Sequence, residues 1–323
     1  MIAFLLRRLL QGVAIVFTVA TITFVLIHAA PGEPFAGQLD DTRLSASMRE
    51  TLRRQYGLDQ PLATQYVRYV ARLARGDLDT SLAQQRPVRA ILAEALPRTL
   101  LLMGAALVLG FALGIVVGAT QAARHGSALD RVVSRLTVAL SAIPDFWLAL
   151  AFVLLFALRL RWFPVSGMQD ETMHEFLTPL GRVRDIAWHL ALPATTMALV
   201  FAAVVARHQR QALLDVLPDD YVRSARAKGV GERTIIMRHA LRNALRPTIT
   251  LFGLALPALV SGAIFVEFIF AWPGMGRTAV EALAARDYPL VLGTTLVAST
   301  LVVVGSIVAD LLAALVDPRL RHG

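Results

Sequence analysis

Residues 220–247 read DYVRSARAKGVGERTIIMRHALRNALRP. The stretch is strongly basic, carries a helical pattern, and sits between two long apolar segments. Asp219 and Asp220 are placed to cap a helix running through Tyr221 to Lys228. Gly229 is placed to take the positive φ that ends it. Glu232 then opens a second helix carrying Ile235, Ile236, Ala240, Leu241 and Leu245, and Pro247 marks the start of the next apolar run. The physical reading is a short surface helix, a glycine turn, and an amphipathic helix leading back into a membrane. Such an element either docks a partner or lies on anionic lipid, and the residues alone leave both open.

The flanking sequence sets the class. The chain has 323 residues, 56% of them hydrophobic, and a mean hydropathy of +0.59. A soluble domain of this size is not normally so apolar, and the surplus lies in long uncharged runs. A bilayer core of about 30 Å needs about 20 apolar helical residues. Six stretches meet that length: 9–30, 99–122, 136–158, 186–206, 248–268 and 289–316. The expected fold is an all-α membrane protein with six transmembrane helices. The first stretch also has features of a cleaved signal peptide, with Arg7 and Arg8 before it and Ala29 and Ala30 at its end. Its apolar run exceeds the usual signal core of about 7–15 residues, which favours a retained helix.

Charge sets direction. Net charge is +9. Arg7 and Arg8; Arg124, Arg131 and Arg135; the group from Arg207 to Arg246; and Arg319 with Arg321 all fall on one side if both termini are cytoplasmic. Orientation accounts for the basic excess, and no nucleic-acid-binding module is visible. The chain divides into an N-terminal helix (1–30), an extracytoplasmic helical segment (31–98), a core of spans (99–316) with a cytoplasmic loop at 207–247, and a cytoplasmic tail (317–323). Segment 31–98 is rich in arginine too, but it is long and carries Glu33, Asp40, Asp41, Glu50, Asp59, Asp77, Asp79 and Glu94. Ser47 with Glu50 has capping-box spacing before a short helix. Asp59 and Pro61 open a second helix with Leu62, Tyr66, Val70 and Leu73 on one face, and Gly76 stops it.

Within the spans, Gly110, Gly114 and Gly118 repeat every fourth residue and form a smooth face for close helix approach. Pro144 and Pro257 each remove a backbone donor and favour a kink. Asp145, Glu267 and Asp310 are acids within or at the ends of spans and are candidates for gating or pathway roles, as is Pro257. Glu267 is expected at the outer boundary, and Asp310 close enough to the cytoplasmic end to pair with an arginine or reach water.

Catalytic chemistry finds no support. There are no cysteines, so neither a disulfide framework nor a thiolate metal site is available. Lys228 is the only lysine and lies between Ala227 and Gly229, so the Gly-Lys-Ser/Thr of a phosphate-binding loop is absent. No HExxH pair and no GxSxG elbow occur, and the seven histidines show no ligand clustering.

The loop resembles the cytoplasmic coupling loop of permease subunits in ATP-driven (ABC) importers. Anchored on Gly229, it keeps Ala225 and Leu241 of the general consensus, with the usual later proline at Pro247. It departs at Arg223, Ser224, His239 and Arg242, in a way similar to the peptide, nickel and glutathione importer branch. GDLDTSL (76–82), IPDFWLAL (143–150), HLALPA (189–194), VEFIFAWPGMGR (266–277), RDYPLV (286–291) and DPRLR from Asp317 are similar to that branch, in order.

The resemblance implies a type I ABC importer permease bundle in the bacterial inner membrane. The chain looks like the B-type subunit, with a long outer segment after its first span. Implied partners are a second, homologous permease subunit, two ATPase subunits, an extracytoplasmic substrate-binding protein and membrane lipid. ATP and Mg would sit on the ATPases, and this chain would hold no cofactor or metal. Asp220, Tyr221, Arg223, Ala225, Arg226, Ala227, Lys228 and Gly229 would form the ATPase-coupling surface. Di- or oligopeptides are the implied substrates, with nickel chelates or glutathione as alternatives. An ion-driven secondary transporter would call for intramembrane ion sites or repeated halves, and the sequence shows neither. A purely scaffolding membrane subunit is the other rival.

Overall fold

The computed structural model describes residues 2–29, 50, 54, 59–261 and 264–316. Those residues are helical throughout their ordered elements, apart from one isolated bridge between Thr80 and Pro87. The helices are α1 (Ile2–Ala29), α2 (Leu62–Ala74), α3 (Val88–Ala123), α4 (Ala128–Ala142), α5 (Asp145–Phe152), α6 (Pro179–Val216), α7 (Asp220–Ala227), α8 (Glu232–Thr234), α9 (Leu241–Ala255), α10 (Ala258–Ser261), α11 (Ile264–Ile269), α12 (Met275–Ala284) and α13 (Tyr288–Val316). Wide-turn π-helices continue α5 over Val153–Arg159 and join α8 to α9 over Ile235–Ala240.

Four of these helices are individually long and apolar enough to cross a bilayer: Leu6–Ala29, Val88–Ala123, Pro179–Val216 and Tyr288–Leu311. The six single spans expected from hydropathy are corrected at two places. The 136–158 stretch is two helices, Ala128–Ala142 and Asp145–Arg159, bent by 103° about Ile143 and Pro144. That is a break rather than a kink. The 248–268 stretch is divided among α9, α10 and α11, with the first interruption at Leu256 and Pro257.

Side-chain contacts show how the chain travels. Along α3 and α6, Gly110 faces Ala198, Gly114 faces Ala202, and Gly118 faces Ala206. The numbers rise together, so the two helices run parallel. The chain between them must therefore return from one end of the bundle to the other, which makes the bent α4–α5 pair a broken crossing. Phe111 meets Phe252 at 5.0 Å between ring centroids, and Thr99 meets Glu267, so α9 to α11 runs antiparallel to α3. Gly253 faces Ala309 and Gly305 faces Pro257, which reverses the direction again for α13. Gly12 against Val303 and Arg8 against Asp310 set α1 antiparallel to α13. Among the described residues the contacts thus carry the chain from end to end six times. α1 begins and α13 finishes at the end where residues 219–247 sit.

The α3–α6 pair is the most extensive helix contact in the bundle. A Cβ added at Gly110, Gly114 or Gly118 would lie 2.6, 2.6 and 2.4 Å from atoms of α6. Opposite the glycines stand Ala198, Ala202 and Ala206, so two stripes of small residues meet and the backbones approach closely.

At the far end of the bundle, α2 lies against α1. Tyr66 shares a hydrogen bond with Thr21 at 2.8 Å, and Phe24 stacks with Tyr69 at 5.4 Å. Tyr66, Tyr69, Val70 and Leu73 are half-buried, whereas Leu62, assigned to the same face from sequence, is exposed. Gly76 has φ +72° just past the helix. The capping box at Ser47 and the acids Glu33, Asp40 and Asp41 lie outside the described residues. α3 starts at Val88, so its first three turns belong to the stretch expected to lie outside the spans.

Candidate functional site

α7 stands beyond the end of the long helices and is anchored chiefly by one buried residue. Val222 is fully buried in a cluster with Ala119 and Ala122 of α3, Leu213 of α6, Ile235, Ile236 and Ala240 of the π-helix, and Ala244 of α9. A branched side chain anchored among three helix ends fixes α7 to the bundle, so a push on the helix reaches all three. Leu241 and Leu245, assigned with Ile235, Ile236 and Ala240 to one apolar face, are half-buried.

The opposite side of α7 is open. Tyr221, Arg223, Ser224, Arg226, Ala227, Lys228 and Gly229 are exposed, and Ala225 is partly covered. Asp219 occupies the N-cap in extended conformation, but its carboxylate makes no capping bond. Asp220 instead pairs with Arg223 one turn on. The capping expected of these two acids is therefore replaced by a surface ion pair. Tyr221 accepts a hydrogen bond from Asn243 of α9 at 2.9 Å, a second tie across the loop.

Gly229 has φ +77° and ends α7, and nothing lies within 4 Å of where a Cβ would project. Glycine is required here by backbone conformation and not by crowding. Arg226 reaches across this turn to Glu232, donating from Nε at 3.1 Å and from Nη2 at 2.6 Å. The guanidinium holds the Glu232 carboxyl below the usual carboxylate range. Arg226 thus braces the turn, a role the sequence did not suggest. Lys228 and Arg233 present their charge outward.

Two polar connections join this platform to the helices behind it. Arg210 of α6 bonds both carboxylate oxygens of Asp130 on α4, at 2.8 and 2.9 Å. Asp130 is almost completely buried and also accepts from the Gly126 N–H at 3.0 Å. The neighbouring Gln209 accepts from Thr248 at 2.6 Å and donates to the Ala244 carbonyl at 3.3 Å, both on α9. Two consecutive residues of α6 therefore grip α4 and α9. Arg210 was counted in the sequence only as an orienting charge.

The chain matches the family described as "Binding-protein-dependent transport system inner membrane component" over residues 91–322. It matches the N-terminal family of the same transport systems over residues 1–103. The chain belongs to this family. It is 37% identical over 323 residues to the oligopeptide transport system permease protein AppB of Bacillus subtilis (strain 168), covering 100% of both chains. It is 38% identical over 334 residues to the di/tripeptide transport system permease protein DppB of Pseudomonas aeruginosa (strain UCBPP-PA14), covering 100% of this chain and 99% of that one. A probable D,D-dipeptide transport system permease protein, DdpB of Escherichia coli (strain K12), is 39% identical over 333 residues, with 99% and 98% covered.

In this inner membrane transport component the three acids singled out from sequence separate into distinct settings. Glu267 is fully buried. It accepts from Thr99 at 2.6 Å and from the Arg277 N–H at 3.1 Å, and its carboxylate lies 2.5 Å from where a Cβ at Gly274 would stand. Thr99 in turn accepts from the Met275 N–H at 2.8 Å, and the Trp272 indole donates to the Arg98 carbonyl at 2.9 Å. Glu267 thus pins the WPGMGR turn to α3 at Thr99, about three turns in from its start, with its hydrogen-bonding capacity spent on structure. Asp310 forms an ion pair with Arg8 at 2.9 Å, tying α13 to α1. Pro257 sits at the break after α9, against Gly305 of α13. Asp145 opens α5 and, among the described residues, accepts only from its neighbour, the Phe146 N–H, at 2.8 Å. Ser81 and Asp287 form a further buried pair missed from sequence, with Asp287 also accepting from Ala83 N–H at 3.1 Å.

Proposed function

We propose that this chain is one of two related permease subunits forming the translocation path of an ATP-driven importer for di- or oligopeptides. The names of its full-length relatives support the peptide substrate. An extracytoplasmic binding protein delivers substrate to the face bearing α2 and α12. Two ATPase subunits, carrying ATP and Mg, dock at α7. Both termini and the 207–247 loop lie in the cytoplasm, as the arginine distribution requires.

The single observation that carries the coupling role is the mounting of α7. One face is anchored through Val222 among the ends of α3, α6 and α9, while the other presents Tyr221, Arg223 and Lys228 to solvent. A purely lipid-bound helix would turn its apolar residue to the membrane; here that residue is inside the bundle. Closure of the ATPase pair would displace α7, and the anchored helix ends would move with it. Because substrate and nucleotide favour different states of the same bundle, their coupling is reciprocal in binding free energy.

Gly229→Asp and the pair Lys228→Glu with Arg233→Glu test this. In proteoliposomes containing both permease subunits, the ATPases and the binding protein, each should insert normally, lose ATPase retention on purification, and lose uptake. Normal ATPase retention with normal uptake would refute the docking assignment. The ligand carried by the binding protein decides among peptide, glutathione and nickel chelate.

A further inference from the structure

Asp145 is an ionisable group at membrane depth with no cation among the described residues to neutralise it. Its depth follows from packing. Ala149, one turn further along α5, belongs to the same buried cluster as Met103 and Met197, which lie well inside α3 and at the middle of α6. The backbone just before Asp145 is not helical: Ile143 (φ −80°, ψ 126°) and Pro144 (φ −60°, ψ 140°) are both extended. Ser141, Ala142 and Pro144 are exposed on the surface of the subunit.

Lipid does not tolerate either feature. Non-helical backbone persists at membrane depth only where it is covered by protein or lines water, and an unpaired carboxylate in hydrocarbon is costly. Both observations assign this surface to something other than lipid. The flanking side chains narrow the choice. Phe146 and Trp147 are 43% and 55% exposed, and Phe265 of α11, whose ring centroid is 6.1 Å from that of Phe146, is 61% exposed. A carboxylate beside open aromatic faces is a setting for an ammonium group, which gains from the charge and from the ring faces together.

We infer that Asp145, with Phe146 and Phe265, lines the translocation path and takes the ammonium of the passing peptide, its free amino terminus. The inference rests on the importer reading above. The missing cation is then the substrate itself, bound transiently during transit and released when the path changes access. A single carboxylate suits this role because a site on a transport route must bind weakly enough to let go.

The absence of native cysteine makes the test direct. The Phe146→Cys variant, in the reconstituted full complex, is treated with cationic or anionic methanethiosulfonate, and labelling of this subunit is followed. The expected result is aqueous labelling, with a cationic-to-anionic rate ratio about tenfold above that of a free thiol, the excess one nearby carboxylate in a partly screened site would produce. Adding Asp145→Asn should abolish that preference, and saturating peptide with binding protein and ATP should slow labelling. Retained ATPase association certifies that the variants assemble. Absence of uptake in the complex with every residue native would count against the importer reading. Uptake by the native complex, with no aqueous labelling of the Phe146→Cys variant or with labelling indifferent to charge, would overturn the Asp145 assignment alone. Crosslinking of the variant to the second permease subunit by a thiol-to-amine bifunctional reagent in every nucleotide state would also overturn it, since the face would then be an interface.

Discussion

Gly118→Ala adds one methyl group to α3 at the tightest point of its seam with α6. The new Cβ would lie 2.4 Å from the Ala206 carbonyl oxygen, 2.9 Å from the Arg210 nitrogen and 2.9 Å from the Gln209 Cβ. Two of these three atoms are backbone, so no rotamer change relieves the clash. Carbon–oxygen approaches of this kind settle at about 3.3–3.6 Å, so the helices must part locally by about 1 Å. A gap of that size forfeits about a quarter to a half of each dispersion contact, and each is worth about 0.1–0.2 kcal/mol. With on the order of 40 atom pairs in the seam, the loss is about 2 kcal/mol. That agrees with the usual cost of overpacking, about 1–3 kcal/mol. Alanine's better helix propensity returns up to about 1 kcal/mol, leaving a net destabilisation of about 1–2 kcal/mol. Gly104 on the same helix supplies the control, since nothing lies within 4 Å of its added Cβ. Gly104→Ala should be neutral or slightly stabilising. Detergent-denaturation midpoints of the purified subunit, titrated with dodecyl sulfate, measure both. If Gly118→Ala proves as stable as Gly104→Ala, the close packing of α3 on α6 is wrong.

Gly114→Leu should lower abundance and transport more severely than the alanine change, because its side chain must displace Val205 and the Ala202 carbonyl; normal levels and uptake would mean that this face points elsewhere. Asp130→Asn should cost about 2 kcal/mol in the same denaturation assay, less than a fully buried pair because Arg210 is partly exposed, and an unchanged midpoint would show that the α4–α6 clamp carries no stability. Glu232 is held below the ordinary carboxylate range by Arg226, so its contribution is complete above the unfolded value of about 4.3 and fades as pH falls through the lower folded one. Glu232→Gln should accordingly speed tryptic cleavage after Lys228 about twofold at pH 8, the modest effect of a half-exposed pair, and equal rates would deny the brace. Reporter fusions at Asp59 and Gly229 should report opposite sides of the membrane, with Gly229 cytoplasmic; the same side for both would sink the orientation.

Hydropathy located the parts of helices that cross lipid and not the parts that extend beyond it. Residues 88–98 and 207–216 carry arginines, so the outer turns of α3 and the inner turns of α6 read as loop although they continue the same helices. Pro144 and Pro257 flagged lost donors, but proline chemistry does not say how far a chain turns; at Pro144 the turn is 103°, and the helix after it buries Leu148 and Ala149. The Gly110, Gly114, Gly118 stripe was legible because small residues at helical spacing have few other uses in lipid, and its partner stripe at Ala198, Ala202 and Ala206 was present but hidden among many alanines. Gly229 was readable because a local backbone angle is written in local sequence. Arg210 with Asp130, and Ser81 with Asp287, join residues far apart in the chain, and no local pattern announces such pairs. The wide turns at Val153–Arg159 and Ile235–Ala240 were also invisible, since apolar spacing over so few residues does not separate π from α.

α6 has 38 residues and is about 57 Å long, nearly twice the thickness of a bilayer core. Deleting one residue from its middle would draw its lower half up by about 1.5 Å and turn it by about 100°. Ala202 and Ala206 would swing off the glycine seam, Arg210 would lose Asp130, and Leu213 would leave the pocket that holds Val222. One missing codon would thus uncouple every contact at one end from every contact at the other. A residue gained or lost between Arg159 and Pro179 lies outside α6 and leaves the register along that helix unchanged. Within α6 the letters can change but not the count.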